Sequence, residues 1–453
     1  MSGANRIQRP HKVPRVKTKY REIKTEIPNK NSMWVHRDLD KYEARGMRGR
    51  LPIVWDKAED FQVFDKHGNK WIDFTSTIFV TNTGHSNPQV LKAIRKQLDQ
   101  KLINSYTNAS EIRAKFLKKL IEVTPSFCEK AFLVSSGTEA TEAAMKLMKS
   151  FGQTIHPKKI GIVSWIGSMH GKTMAAEMLR GDHKSSEWIG YRDPNMYHLP
   201  FPYEWEVGED EGAARFKKDI AKLKKSGVNF DRLCGFMIES FQGRVSSFYP
   251  KSYIKELAKF AKKHRILITF DEVQSGMGRT GKFFAFEHYE VTPDLVCVGK
   301  GFGDGVPIAG VIGRRKVLDI PEDLSSTHSA NPLVCAAGLA NLEFIESRNL
   351  VKEAARKGKI FHAKLNELKR EFRERIPYIT GRGMIAAVFF INPKTGKHDS
   401  DMVNKVTNLA VEKGLLVMPT SKTIKIGPPL TIPDKALVEG VEVLRECLHE
   451  ILD

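Results

Sequence analysis

Between about residues 76 and 340, short unbroken apolar runs alternate with stretches whose apolar residues recur every three or four positions. The runs Ala131–Ser135, Ile160–Ser164, Cys234–Ile238, Ile266–Phe270, Leu295–Val298 and Ile308–Ile312 predict strands. Ser252–His264, with Ile254, Leu257, Ala258 and Ala261 on one face, predicts a helix, as does Ala140–Lys149. Strands that are apolar throughout are buried on both faces, and strand–helix alternation makes the sheet mostly parallel. Upstream, Asp60–Asp65 and Lys70–Phe74 predict two strands about a His67-Gly68-Asn69 turn. Past residue 340 the pattern changes to a long helix, short strands at Ile385–Ile391 and Leu415–Met418, a Pro428-Pro429 break and a final amphipathic helix carrying Leu437, Val441, Leu444 and Leu448. The predicted class is α/β: a large domain with a mostly parallel central sheet (76–340), and a smaller α+β domain built from an N-terminal segment (31–75) and a C-terminal one (341–453). A basic N-terminal arm (1–30) precedes them.

With 453 residues, 41% of them hydrophobic, the chain has enough apolar material for a large core. No apolar run is long enough to cross a bilayer, and no secretory signal opens the chain, so a cytoplasmic location is expected. The Arg/Lys-rich start has an organelle transit peptide as its other reading; Pro10 and Pro14 interrupt the amphipathic helix such a peptide needs. Cys128, Cys234, Cys297, Cys335 and Cys447 are unpaired in spacing and read as buried thiols in a reducing compartment. The 14 histidines form no ligand spacing, and no metal site is expected. Net charge is +20, and residues 1–30 hold nine Lys/Arg against Glu22 and Glu26. Aromatic and basic residues do not interleave as in a single-strand binding groove, so the charge reads as a solvated surface and no nucleic-acid or membrane partner is expected.

The candidate chemistry sits at the ends of the predicted strands, where open α/β sheets bind ligands. Lys300 follows Leu295–Val298 and opens a glycine-rich turn. Asp271 ends the run before it, 29 positions upstream. An amine and a carboxylate so placed suit a cofactor with an aldehyde and a basic ring nitrogen, pyridoxal 5′-phosphate. A lysine in such a turn also reads as a solvated or phosphate-binding residue, and an Asp there as a helix cap. Ser136, Gly137 and Thr138 stand where a strand gives way to a helix, a place for a phosphate; the other reading is an N-cap completed by Glu139. After Asp271, Val273 offers an apolar face and Gln274 a donor for the ring oxygen. The tandem acids Asp271-Glu272 also read as a magnesium or calcium site, although no further acidic cluster lies nearby.

Ser136-Gly137-Thr138-Glu139-Ala140, His170-Gly171, Asp271-Glu272-Val273-Gln274-Ser275-Gly276, Gly278-Arg279-Thr280-Gly281-Lys282, Lys300 and Asn331-Pro332 resemble, in order and spacing, the class III aminotransferases of pyridoxal-phosphate fold type I. The similarity runs from about residue 50 to the end and is nearest to the 4-aminobutyrate and ornithine branch. The resemblance implies a homodimer with shared active sites, working on a small-molecule amine and a 2-oxo acid in two half-reactions. It implies that Lys300 is the Schiff-base lysine, that Asp271 holds the ring nitrogen, and that Gly137 and Thr138 bind phosphate. Thr327 would reach the phosphate from the partner subunit, and Glu239 would lie near the ring oxygen and the substrate. Two other functions stay open: an aminomutase or racemase on the same fold, and a basic binding protein with a retired site.

Departures from the family pattern fall where substrate is chosen. Met169 stands before His170 in place of a ring-stacking aromatic. Glu239-Ser240-Phe241-Gln242-Gly243-Arg244 ends on a cation where the family has an acid. Lys425 replaces the arginine before Pro428-Pro429-Leu430, and Thr380 replaces another, with Arg382 two places on. Lysine lacks the two-pronged grip of arginine on a carboxylate. Arg244 and Lys425, with Phe79, form the expected substrate set: a relocated anion site for an amine other than a plain ω-amino acid. The alternative is that Arg244 points to solvent.

Overall fold

The computed structural model describes residues 9–47, 51–182, 184–321 and 323–453. The chain forms two compact units, one of Pro88–Ala355 and one of the segments through Asn87 and from Arg356. These limits differ from the 75/76 and 340/341 expected from periodicity. Helix Pro332–Ser347 is apolar nearly all round and buries Ala337 and Ala340 beside Val90 of helix Pro88–Asp99, which keeps both helices in the larger unit.

The larger unit is built on seven strands: β1 (Lys130–Val134), β2 (Gly161–Trp165), β3 (Met196–Leu199), β4 (Leu233–Glu239), β5 (Leu267–Asp271), β6 (Leu295–Val298) and β7 (Ala309–Gly313). Their order is β1-β7-β6-β5-β4-β2-β3. β7 runs antiparallel to both neighbours and the other pairs are parallel. The six expected strands lie within a residue or two of their predicted places. β3 was not expected, because Met196-Tyr197-His198-Leu199 at the sheet edge is only partly buried and reads as neither an apolar run nor an alternation. Helix Gly137–Ile155 packs Ala140, Ala144, Leu147 and Met148 on Cys234, Met237, Cys297 and Val311 of the sheet. An added Cβ at Gly235 would lie 2.1 Å from the Met148 sulfur, so that strand position has no room for a side chain.

In the smaller unit, Val16–Lys17, Glu22–Ile23, Lys70–Asp73, Gln62–Phe64 and Lys57–Glu59 form an antiparallel sheet, with Leu415–Leu416 parallel to Lys70–Asp73. Ile379–Thr380, Ala386–Phe389, Thr423–Ile426 and Met418–Pro419 form a second sheet. The expected basic arm is therefore not separate over its described part: residues 9–30 carry two strands and bury Ile23 and Ile27. Arg21, also buried, pairs with Glu439 at 2.9 Å and donates to the Lys413 carbonyl at 2.7 Å. The segment reads as polar because each of its apolar residues stands alone among charges. Residues 1–8, with Arg6, lie outside the described residues.

Candidate active site

The parallel strands deliver their carboxyl ends to one edge of the sheet. Asp271 closes β5 directly beside Glu239 of β4 and Cys297 of β6, and Gly299-Lys300 follows two residues beyond. His170, in the loop after β2, puts Nδ1 2.8 Å from Asp271 Oδ2, while the Val273 N–H donates to Oδ1 at 3.0 Å. Asp271 is 6% exposed and Glu239 5%. Glu239 Oε1 accepts from the Gly243 N–H at 3.0 Å; its Oε2, like Nε2 of His170, is buried without a partner among the described residues. Burial pushes the Glu239 carboxyl up to about 7; the His170 interaction opposes this and the Asp271 charge adds to it.

Lys300 is half-buried and opens a short 3-10 turn at φ +46°, a region L residues rarely adopt. Burial lowers its pKa, partly offset by the negative charges of Asp271 and Glu239. The result is an amine more easily neutral than an exposed lysine, facing two acids.

Gly137 and Thr138 open the helix that follows β1, so their N–H groups have no intrahelical acceptor. Ser136 also fits the other reading of its motif. It is the N-cap, with Glu139 Oε2 accepting from the Ser136 N–H at 2.7 Å and from its hydroxyl at 3.0 Å, in a capping box. A Cβ on Gly137 would lie 2.8 Å from Val273 Cγ1, and one on Gly299 3.3 Å from the same atom. The helix N-terminus, Val273 and the approach to Lys300 thus converge within a few ångströms. Thr138 Oγ1 lies 2.7 Å from Thr173 Oγ1, whose hydroxyl donates to Glu142. Thr141, which the sequence reading missed, donates to the His170 carbonyl at 2.8 Å and fastens that loop to the helix. Its only sequence signal is its place one turn after Thr138.

Gln274 is half-buried, with Nε2 3.5 Å from the Cβ position of Gly243. Met169 is half-buried in the loop after β2, Arg244 is exposed in the turn after Glu239, and Thr327 is exposed in a surface turn. Glu272 is committed to structure, accepting from Ser275 Oγ and from the Ala285 and Phe286 N–H groups. Among the described residues no group of three or more His, Cys, Asp or Glu could hold a metal ion, and no helix is long and apolar enough to cross a membrane.

Phe79 and Lys425 belong to the smaller unit. Ser76, Thr77, Ile78 and Phe79 have φ of +44°, +50°, +67° and +64°, a left-handed turn without a glycine. Left-handed geometry costs an L residue roughly 1–2 kcal/mol. Hydrogen bonds from Phe79 N to Thr75 O (3.0 Å), Val80 N to Ser76 O (2.7 Å) and Ser76 Oγ to Gly427 O (2.6 Å) oppose that cost.

The description of the Aminotransferase class-III family matches residues 43–448, and the chain belongs to that family. It is 32% identical to the 5-aminovalerate aminotransferase DavT of Pseudomonas aeruginosa, over 90% of this chain and 96% of that one. It is 30% identical to an alanine/serine racemase of Pyrococcus horikoshii, over 89% and 87%. Among solved structures it is similar to an (S)-enantioselective omega-transaminase from Thermomicrobium roseum, with TM-score 0.85 and 25% identity over 93% of this chain and 99% of the other. The protein is an aminotransferase of pyridoxal-phosphate fold type I, and its cofactor is pyridoxal 5′-phosphate. The site fits that group. It offers an amine of lowered pKa, an oriented carboxylate, a helix N-terminus with unpaired N–H groups, and space that a single Cβ would fill.

Proposed function

We propose that this enzyme moves an amino group from an amine or amino acid to a 2-oxo acid in two half-reactions, with Lys300 as covalent anchor and catalytic base. One observation carries the assignment: a desolvated amine meets two in-register strand-end carboxylates beside a helix N-terminus. When bound, pyridoxal phosphate supplies an aldehyde that takes up the amino group and a protonated ring that spreads the electron pair left when the substrate loses its Cα proton. Lys300 would be the base that takes that Cα proton and the acid that returns it, a transfer worth about two to four orders of magnitude. Asp271, oriented by His170 and the Val273 N–H, holds the ring nitrogen protonated. Gly137 and Thr138 hold the phosphate, Val273 and Met169 pack the ring, and Gln274 donates to its oxygen. Glu239, with a pKa near that of the medium, holds a proton beside the substrate. Arg244, exposed in the turn after Glu239, reads an anionic group of the substrate.

The active unit is a homodimer in which the partner's copy of Thr327 completes the phosphate site. Exposed Leu102, Ile103 and Tyr106 support this, because Tyr106 lines an open pocket with Ser326 and Ser329 from the turn that carries Thr327. A racemase is the second reading, favoured by the racemase relative. Two experiments test the proposal. Borohydride reduction, digestion and mass spectrometry should find a pyridoxyl group on the Lys300 peptide; a label elsewhere or none defeats the assignment. Turnover should require an added 2-oxo acid, whereas inversion at Cα without one favours the racemase.

A further inference from the structure

The parallel strands of the larger sheet end at the catalytic edge and begin at the opposite one, about 20 Å away along the length of β4. Three neighbouring strands are entered there through cations: Lys158 and Lys159 precede β2, Arg232 precedes β4 and Arg265 precedes β5. Helices Gly212–Lys225 and Lys251–His264 lead back to that edge and close on Lys222, Lys224 and Lys225 in one and on Lys262 and Lys263 in the other. Buried Lys159 ties the segments together, donating to the Asp231 carbonyl at 3.4 Å and to the His264 carbonyl at 3.0 Å. The Phe230 and His264 rings pack with centroids 5.6 Å apart. Burial lowers the His264 pKa, and Lys263, Lys159 and Lys224 lower it further against the opposing charge of Asp231, so the segments share one positive field.

Residues 156–160, 222–232 and 262–266 hold eight exposed cations against one acid, Asp231. Among the described residues none of the eight is in an ion pair. Neighbouring cations are neutralised: Lys217 pairs with Glu256 at 3.5 Å and Lys255 with Glu290 at 2.9 Å, and farther along the same edge Arg314 pairs with Asp294 at 3.1 Å and Lys130 with Asp319 at 2.7 Å. Attraction to a helix C-terminus accounts for lysines in a last turn. It does not account for Lys158 and Arg232, which lie outside both helices, or for Arg265, which takes the left-handed position, φ +54°, that glycine fills without strain. Like charges gathered without counterions repel one another, and an external anion relieves that repulsion. No exposed large apolar side chain lies in these segments, so the surface has neither a stacking platform for unpaired bases nor a wedge for a bilayer. Lysine ammonium groups take phosphate oxygens as point charges, without reading bases.

We propose that the edge where β2, β4 and β5 begin is a docking surface for the phosphate backbone of double-stranded nucleic acid, bound without sequence preference and remote from the catalytic strand ends. Along the chain these cations are spread from residue 158 to residue 265 and read as a solvated surface; the sheet gathers them.

The test titrates the holoenzyme against a fluorescent mixed-sequence DNA duplex, with one of its single strands, polyglutamate and phosphatidylserine vesicles as the other polyanions. The duplex should bind with a Kd of about 1–100 µM near physiological salt and a log–log salt slope of about −4 to −7, the signature of roughly four to eight neutralised phosphates. The triple variant Lys224→Gln, Lys225→Gln, Lys263→Gln should weaken the duplex about tenfold or more at low salt and flatten the slope by about 3. Lys394→Gln, Lys397→Gln, Lys405→Gln, which removes as many exposed lysines from the smaller unit, should change affinity by less than about twofold. Both variants should keep the circular dichroism and cofactor absorbance of wild type. Should the first variant lose them, Lys225→Gln and Lys263→Gln made singly take its place, each flattening the slope by about 1. Absence of duplex binding by wild type, or equal weakening by the two triple variants, overturns the docking surface. Tighter binding of the single strand, polyglutamate or the vesicles than of the duplex overturns the assignment of its occupant.

Discussion

Replacing Glu239 by Gln removes a buried carboxyl whose environment in the folded protein is far from that of water. Its pKa rises from 4.5 to about 7, chiefly through burial. A group that holds its proton more tightly when folded favours the folded state at low pH and loses that advantage as pH rises. Its contribution is fully present below 4.5, declines between 4.5 and about 7, and is gone above. At about 1.36 kcal/mol for each pH unit of that interval, the loss is about 3 kcal/mol. Glutamine does not titrate and keeps the Gly243 N–H bonded through its carbonyl. Glu239→Gln should therefore be more stable relative to wild type at pH 8 than at pH 4 by about 3 kcal/mol. Denaturant unfolding of cofactor-free wild type and variant across that range reads the difference directly, because Glu272, also raised to about 7, titrates in both proteins and cancels. A stability difference that stays constant to within about 1 kcal/mol from pH 4 to pH 8 would refute the assignment of Glu239 as the proton-holding acid.

Gly137→Ala places a methyl 2.8 Å from Val273 Cγ1, at the proposed phosphate cradle; cofactor affinity should fall about tenfold or more by equilibrium dialysis, with helix content unchanged by circular dichroism. Arg244→Glu should lower kcat/KM for anionic amines relative to neutral ones, and an unchanged ratio would remove Arg244 from the substrate set. Arg21→Met leaves the partly buried Glu439 and the Lys413 carbonyl without their partner; it should cost about 2–3 kcal/mol in unfolding free energy while KM stays near wild type, marking residues 9–30 as part of the smaller unit's core.

Much of the site was legible because its parts lie next to signals that need no partner in space. Lys300, Asp271 and Glu239 each follow an apolar run, and Gly137 stands where a run turns into a helical pattern. Ser136 shows the limit of such reading. Phosphate ligand and helix cap use the same residue type at the same place, and only the tertiary structure shows the bonds to Glu139 that make Ser136 a cap. Arg21, Thr141 and β3 were missed because what fixes them comes from far along the chain: Glu439 for Arg21, the His170 loop for Thr141, and the sheet edge beside Gly161–Trp165 for β3.

Periodicity and strand-end chemistry in the chain itself determined the α/β class, the parallel core and the amine–carboxylate pair, since burial on both faces and the direction of a strand leave a mark on neighbouring residues. The tertiary structure alone decided that Asp271 stands in register with Glu239, that His170 orients it, and that four non-glycine residues at 76–79 turn left-handed to put a ring under Lys425. Those depend on packing between segments up to some 350 residues apart (Ser76 to Gly427), and such packing overrides local preference because its contacts outweigh the local cost.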